Sequence, residues 1–499
     1  MERLKICMVS DFFHPGLGGV EMHIYQLSEC LIQRGHKVIV LTHKRGQRQG
    51  VRYMRNGLKV YYLPFLPFHD NCTLPTFLSF FPLIRKVLLR EAVDIVHGHQ
   101  ATSNLAHECI LHARTMGYHT IYTDHSLFGF ADAACIHVNK LLKFFLTNVE
   151  HCVCVSHTNR ENLVLRAALN PINVSVIPNA VDTRRFQPDA SQRSKKPWVT
   201  VVVVSRLTYR KGVNLLVGAV PEICRRHQHV RWLIGGSGPK QLLLDEMIER
   251  ENLHDRVELL GAVPHEDVRK VLVRGHIFLN TSLTEAFCIA IVEAAACGLM
   301  VVSTNVGGVP EVLPPHMTKL AAPRVDAVVE ALEDALLSLP PPEAAQSVHE
   351  EVEKMYSWQD VAERTERVYR EVVLKPSIPL RERFLRFLRV GPVSGKLFIL
   401  LVALDTLLCW FLDWWQPREE VEMAWDSPAW RPFEVLSHVA QMKGEAWTST
   451  LHPVSVWQDE RKTFQSVDTR KNDHTAFLDS YMSTPAITQV SDSLFPCVD

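Results

Sequence analysis

At 499 residues the chain is too long for one ordinary domain and sets an expectation of two or three. Apolar residues make up 47%, enough for full cores, and the formal net charge is zero, which excludes the broad basic surface of a general nucleic-acid binder. Twelve cysteines are scattered without a Cys-x-x-Cys pair, which points to reduced, buried thiols in the cytosol and against a disulfide frame or zinc site. The chain opens almost directly into the apolar run Leu4–Ser10, so no secretory leader is expected.

Short apolar runs alternate with helical patterns through the first half. Strands are expected at Ile6–Ser10, Val38–Thr42, Val60–Leu63, Ile95–His97, Thr120–Thr123 and Cys152–Val155. Such alternation predicts an α/β fold with a parallel sheet, and ligands bind at the carboxyl ends of such strands. After the first strand, Gly18-Gly19 opens a helix running to about Arg34. Glycines there let an anion approach free N–H groups, or simply make a tight turn. From Pro64 to Leu89 aromatic and aliphatic residues crowd together, with Arg85, Lys86 and Arg90 after them. That segment suits either a membrane surface or packing on the core. Thr123-Asp124-His125-Ser126 leaves a strand where chemistry is placed, although a lone histidine is also a common structural residue. Val176-Ile177-Pro178-Asn179-Ala180-Val181-Asp182 and the polar stretch after it mark a linker.

A second α/β unit starts at Trp198. The strand Val199–Val204 leads into Ser205-Arg206-Leu207 and Lys211-Gly212, cations placed to grip a diphosphate or merely to be solvated. Gly235-Gly236-Ser237-Gly238-Pro239 and Val306-Gly307-Gly308 are glycine loops after strands. Further strands are expected at Val257–Leu260, Ile277–Leu279 and Met300–Ser303. Glu285 and Glu293 bracket an apolar run, and Phe287–Ala296 predicts a helix ending at Gly298. On a helix the two carboxylates would lie about 80° apart around the axis and about 12 Å apart along it. They could address two parts of one elongated ligand, or act as ordinary capping and solvated residues. No Asp-x-Asp pair occurs, and no metal site is expected.

In order, Gly18-Gly19-Val20-Glu21, Pro178–Asp182, Ser205-Arg206-Leu207 with Lys211-Gly212, Gly235–Pro239 and Glu285-x7-Glu293 resemble the GT-B glycosyltransferases of glycosyltransferase family 4 over about residues 5–370. Ile6–Phe13, Thr123–Phe130, Leu165–Pro171 and Leu279–Cys288 narrow the resemblance to the PIG-A-type catalytic subunits of phosphatidylinositol N-acetylglucosaminyltransferases. The resemblance implies two Rossmann-like domains facing a cleft: residues 1–180 towards acceptor and membrane, 181–350 for the nucleotide sugar, and 351–375 as closing helices. It implies transfer of N-acetylglucosamine from UDP-N-acetylglucosamine to phosphatidylinositol with retention, the first step of glycosylphosphatidylinositol-anchor synthesis, with no cofactor. Glu285, His125, Arg206 and Lys211 would be catalytic. Gly18, Gly19, Arg206, Lys211, Gly236, Phe287, Cys288 and Glu293 would bind the donor, Glu293 at the ribose. The alternatives are a related membrane transferase with another sugar or lipid, and an inactive scaffold of the same fold.

Residues 397–415 are nearly continuously apolar, long enough to cross a bilayer, with Asp405 in the middle needing a polar partner. The basic segment 376–396 before it and the acids after it predict a single-pass protein with its catalytic part cytosolic and the tail 416–499 disordered across the membrane. The resemblance implies that this membrane is the endoplasmic reticulum, with the tail lumenal. The resemblance adds other membrane subunits as partners, with Asp405 a plausible contact, and no nucleic acid.

Overall fold

The computed structural model describes residues 3–16, 18–54, 56–130, 133–193 and 197–424. Most of the expected tail lies outside them. In chain order the first half carries β1 (Lys5–Val9), α1 (Gly19–Gln33), β2 (Lys37–His43), β3 (Gly50–Tyr53), β4 (Lys59–Leu63), β5 (Pro67–His69), β6 (Cys72–Thr73) and α2 (Phe81–Arg90). It continues with β7 (Ile95–His99), α3 (Asn104–Met116), β8 (His119–Asp124), α4 (Ala133–Leu146), β9 (His151–Cys154), α5 (His157–Ala167) and β10 (Val174–Val176). Eight of these strands form one sheet in the order β10-β9-β8-β7-β1-β2-β4-β3. Neighbours run parallel except the edge pair β3 and β4. Uninterrupted apolar stretches in β1 and β2 follow from burial on both faces, the mark of a sheet covered by helices.

The second half carries β11 (Val199–Val204), α6 (Val213–Arg226), β12 (Val230–Gly235), α7 (Gln241–Glu251), β13 (Val257–Gly261), α8 (Val268–Leu272) and β14 (Ile277–Asn280). Then come α9 (Ile289–Ala296), β15 (Met300–Thr304), β16 (Thr318–Ala321), α10 (Val325–Leu337), α11 (Ala344–Met355) and α12 (Trp358–Val373). Its sheet is wholly parallel, in the order β13-β12-β11-β14-β15-β16. In both sheets the order reverses beside the first strand, between β1 and β7 and between β11 and β14. The crevices opened there are where such sheets hold ligands.

α12 returns to the first sheet and packs on α1. Arg364 donates to the Val176 carbonyl (2.6 Å), and Tyr369 reaches His97 (2.7 Å). Two helices then lie against the first half: α13 (Leu380–Leu388) and α14 (Ser394–Trp415). The segment before the apolar helix is therefore itself structured, with Arg383 and Phe387 buried. Among the described residues α14 is the one helix long and apolar enough to cross a membrane. One face, including Val402, Asp405 and Cys409, is buried; Leu397, Leu400, Leu404, Leu407, Phe411 and Trp414 are exposed.

Asp405 meets the expected polar partner inside the chain. Its Oδ1 lies 2.6 Å from His112 Nδ1 on α3, and it is fully buried. A carboxylate removed from water needs such a neighbour, and this one leaves no surface on Asp405 for another protein, contrary to the contact expected from the sequence. The helix expected from Phe287 begins two residues later. Cys288 is its N-cap at φ 70°, so Glu285, Phe287 and Cys288 belong to a loop. The angular relation between Glu285 and Glu293 therefore does not apply.

Candidate active site

The loop after β11 and the loop after β14 meet at the second crevice. Lys211 Nζ hydrogen-bonds Glu285 Oε1, and Ser282 Oγ stands 2.8 Å from the same oxygen. Burial works against the lysine charge, but Glu285 beside it outweighs this and the Lys211 pKa is raised. The turn that presents Lys211 is fixed by Gly212 at φ 65°; a Cβ there would lie 1.8 Å from the Thr281 carbonyl oxygen. Thr281 Oγ1 in turn donates to the Lys211 carbonyl (2.8 Å). Arg206 is exposed and holds no ion pair among the described residues.

Gly236, offered by the sequence as a donor contact, has φ 147°, and a Cβ would fall 1.8 Å from the Ser205 carbonyl oxygen. Gly238 is pressed in the same way on Leu207. These glycines let one loop brace the Arg206 loop, which accounts for their residue type without a ligand. Gly307 and Gly308 likewise support the Glu285 loop: a Cβ on either would lie 2.1 Å from a carbonyl oxygen of Glu285 or Ala286.

Phe287 is buried against Tyr356, with ring centroids 5.5 Å apart. Burial pushes the Cys288 thiol well up, so it stays protonated. The N-terminal N–H groups of α9 follow directly, and such a terminus favours an anion. Glu293 sits one turn in, mostly buried, 3.2 Å from His265 Nε2. Across the cleft Gly18 is the N-cap of α1, and a Cβ on Gly19 would lie 3.5 Å from Ile289 Cδ1 on α9. The two expected anion loops thus face each other.

The His125 loop closes the group. Leu127 packs at Gly307, and Arg210 lies over the Phe128 ring at 5.7 Å, beside the Lys211 turn. Beneath it is a feature that sequence reasoning missed. His23, His97, His99 and His125 cluster, with His99 Nδ1 3.3 Å from His125 Nε2 and the His23 and His125 rings 4.7 Å apart. Burial, then the neighbouring rings, drives His99 and His125 far below the ordinary histidine range. Burial takes His23 to about 4 and His97 to about 3. All four are neutral near pH 7. Among the described residues, His23, His99 and His125 bring ligand nitrogens within 4.8 Å of one another, a spacing compatible with a metal ion. The signal available in sequence was His97-Gly98-His99, whose alternation puts both rings on one face of a strand.

Two further contacts tie the halves together. Ser156 Oγ donates to the Ala286 carbonyl (2.7 Å). Glu311 accepts from the His157 and Thr158 amides (2.6 and 2.8 Å), capping α5 from the opposite half. A cleft between two parallel-sheet units, with cations and a helix N-terminus on one wall and a glycine loop on the other, defines a GT-B glycosyltransferase.

Comparison with known proteins agrees. The model for glycosyl transferases group 1 matches residues 184–355, and that for PIGA (GPI anchor biosynthesis) matches residues 43–132. Sucrose-phosphate synthase from Thermosynechococcus elongatus shares the fold at a TM-score of 0.61 and 21% identity, over 74% of this chain and 99% of its own. Anabaena HepE in complex with UDP-glucose does so at 0.60 and 16%, over 74% and 100%. The chain is 55% identical to a phosphatidylinositol N-acetylglucosaminyltransferase subunit of Arabidopsis thaliana, over 85% of this chain and 94% of that one. It is 53% identical to the corresponding Homo sapiens protein over 85% and 88%. The chain belongs to the PIGA family of phosphatidylinositol N-acetylglucosaminyltransferase subunits.

Proposed function

We propose that the cleft transfers N-acetylglucosamine from UDP-N-acetylglucosamine to phosphatidylinositol with retention, opening glycosylphosphatidylinositol-anchor synthesis. The observation that carries this reading is the Lys211–Glu285 pair beside the N-terminus of α9, facing Gly18-Gly19. As UDP departs, charge grows on its β-phosphate. Lys211 and the amides of Phe287 and Cys288 are preorganised to receive it, with the exposed Arg206 available beside them and Gly18 and Gly19 opposite. Glu285 holds Lys211 and lies by the donor sugar, while Glu293 takes the ribose hydroxyls. Neutral His125 offers a hydrogen bond near the reacting carbon without adding charge. The acceptor hydroxyl attacks on the face the phosphate leaves, and the phosphate takes its proton. Gly236 acts at one remove, through the Arg206 loop.

Residues 1–180 form the acceptor side and 181–350 the donor side. The relatives are named as subunits, which supports a complex with other membrane proteins. The exposed apolar face of α14 and the bases around α13 support a single-pass place in the endoplasmic reticulum membrane, cleft cytosolic and tail lumenal.

The test uses microsomes carrying this chain in cells lacking their own first-step transferase, supplied with radiolabelled UDP-N-acetylglucosamine. Label should enter a phosphatidylinositol-type lipid and fall by about 10²–10³-fold with Lys211→Ala. Label only from another sugar nucleotide would point to a related transferase, and equal restoration of anchor synthesis by both chains to a scaffold.

A further inference from the structure

Beyond β2 the chain makes a tight hairpin. Arg45 N donates to the Arg48 carbonyl (3.1 Å) and Arg48 N to the Arg45 carbonyl (2.9 Å), an isolated antiparallel bridge. Residues opposed in such a bridge send their side chains to one face. Both arginines are half-exposed there, at the carboxyl end of the sheet.

Arg45 is held in place. Its Nη2 donates to the Asp11 carbonyl (2.9 Å) and its Nη1 to Asn71 Oδ1 (3.3 Å). Its Nε is buried and has no hydrogen-bond partner among the described residues. The residue as a whole is half-exposed, and a guanidinium fork matches the oxygens of a phosphate. The carboxylate of Asp11 does not compete, because Thr73, Ser103 and Leu105 occupy both its oxygens. Glu21 and then Asp11 are the nearby counter-charges to Arg45. Arg48 is half-exposed and holds no ion pair among the described residues.

The position joins two surfaces. A Cβ on Gly16 would lie 3.0 Å from Arg45 Nη1, so the hairpin touches the loop that opens α1 at the cleft. On the other side Asn71 is the tip of the β5–β6 hairpin. Near it in the chain Leu66, Phe68, Leu74 and Phe77 are 70%, 74%, 56% and 55% exposed, apolar surface that water does not favour. Paired cations between apolar surface and a transferase cleft match an amphiphile with an anionic group between its tails and its reacting end.

We propose that Arg45 and Arg48 bind the phosphodiester of the lipid acceptor, with the β5–β6 hairpin against its acyl chains. This rests on the acceptor assigned under Proposed function. It places the polar headgroup beyond the phosphate, towards Gly18-Gly19 and the donor.

The test measures initial rates in microsomes for the natural chain, Arg48→Gln and Arg48→Lys, varying donor and phosphatidylinositol separately. Arg48 is preferred because Arg45 also ties loops together. Arg48→Gln should raise the apparent KM for phosphatidylinositol about tenfold and leave the donor KM unchanged, with Arg48→Lys between. An unchanged acceptor KM in Arg48→Gln would overturn the proposal. So would an equal loss of binding by the detergent-solubilised full chain to phosphatidylserine and phosphatidylinositol vesicles, which would mark a general surface charge. No labelled phosphatidylinositol from the natural chain would instead refute the acceptor assignment itself.

Discussion

At the scale of single residues the site is built from polar groups whose partners come from distant sequence. Lys211 and Glu285 pair across 74 positions, through loops shaped by Gly212, Gly307 and Gly308. The residue types and loop positions were legible, because strand exits concentrate them. The pairing was not, because strand order brings β11 beside β14 and no local pattern states that order. The histidine cluster was hidden for the same reason: His23 comes from α1, His97 and His99 from β7, and His125 from the loop after β8. Glu293 was legible as a carboxylate on a helix, and its proposed role gives a distinct prediction. Glu293→Ala should raise the donor KM about tenfold while changing kcat less, since ribose contacts are made equally in ground and transition states. Separate donor-saturation curves for the two chains check it; a fall in kcat alone would remove Glu293 from ribose binding.

Among the elements, α12 shows how the chain's end secures its beginning. Glu366 on α12 accepts from Arg34 Nε beyond α1 (2.6 Å) and from Arg370 (2.5 Å). Burial alone would raise its pKa, but these guanidiniums and His36 hold it at about 2, against an ordinary 4.5. A depressed carboxylate stabilises the fold fully above about pH 4.5 and loses that contribution as pH falls towards 2. Glu366→Gln should therefore cost on the order of 2 kcal/mol at pH 7 in urea unfolding of the solubilised chain, and the gap should narrow between pH 5 and 3. A pH-independent gap would show that packing, not charge, is lost. Apolar alternation predicted most strands, whereas β3, β10, β16 and the β5–β6 pair escaped notice as short or edge elements with little apolar pattern. The strained Cys288 explains why α9 starts late: a residue at positive φ interrupts a run whose composition reads as continuous helix.

For the whole molecule, α14 is the least ordinary feature, since an apolar helix keeps one face on the enzyme body. Its composition was legible; its seat was not, because His112 lies 293 residues from Asp405. Removing the imidazole leaves a buried carboxylate unpaired, which typically costs about 3–5 kcal/mol. His112→Ala should loosen α14 and speed its proteolysis in solubilised full-length protein, and an unchanged cleavage rate would show that apolar contacts alone hold it. Topology is tested separately: an acceptor sequon placed beyond Trp415 should be glycosylated if the tail is lumenal and unmodified if it stays cytosolic.

Whether this cleft itself starts anchor synthesis is decided in living cells. Cells lacking their own first-step transferase would receive the natural chain or Lys211→Ala at matched protein levels, and glycosylphosphatidylinositol-anchored proteins would be counted at the surface. Surface anchored protein should return with the natural chain and stay absent with Lys211→Ala. Equal return with both would contradict the account and move the chemistry to a different protein of the complex.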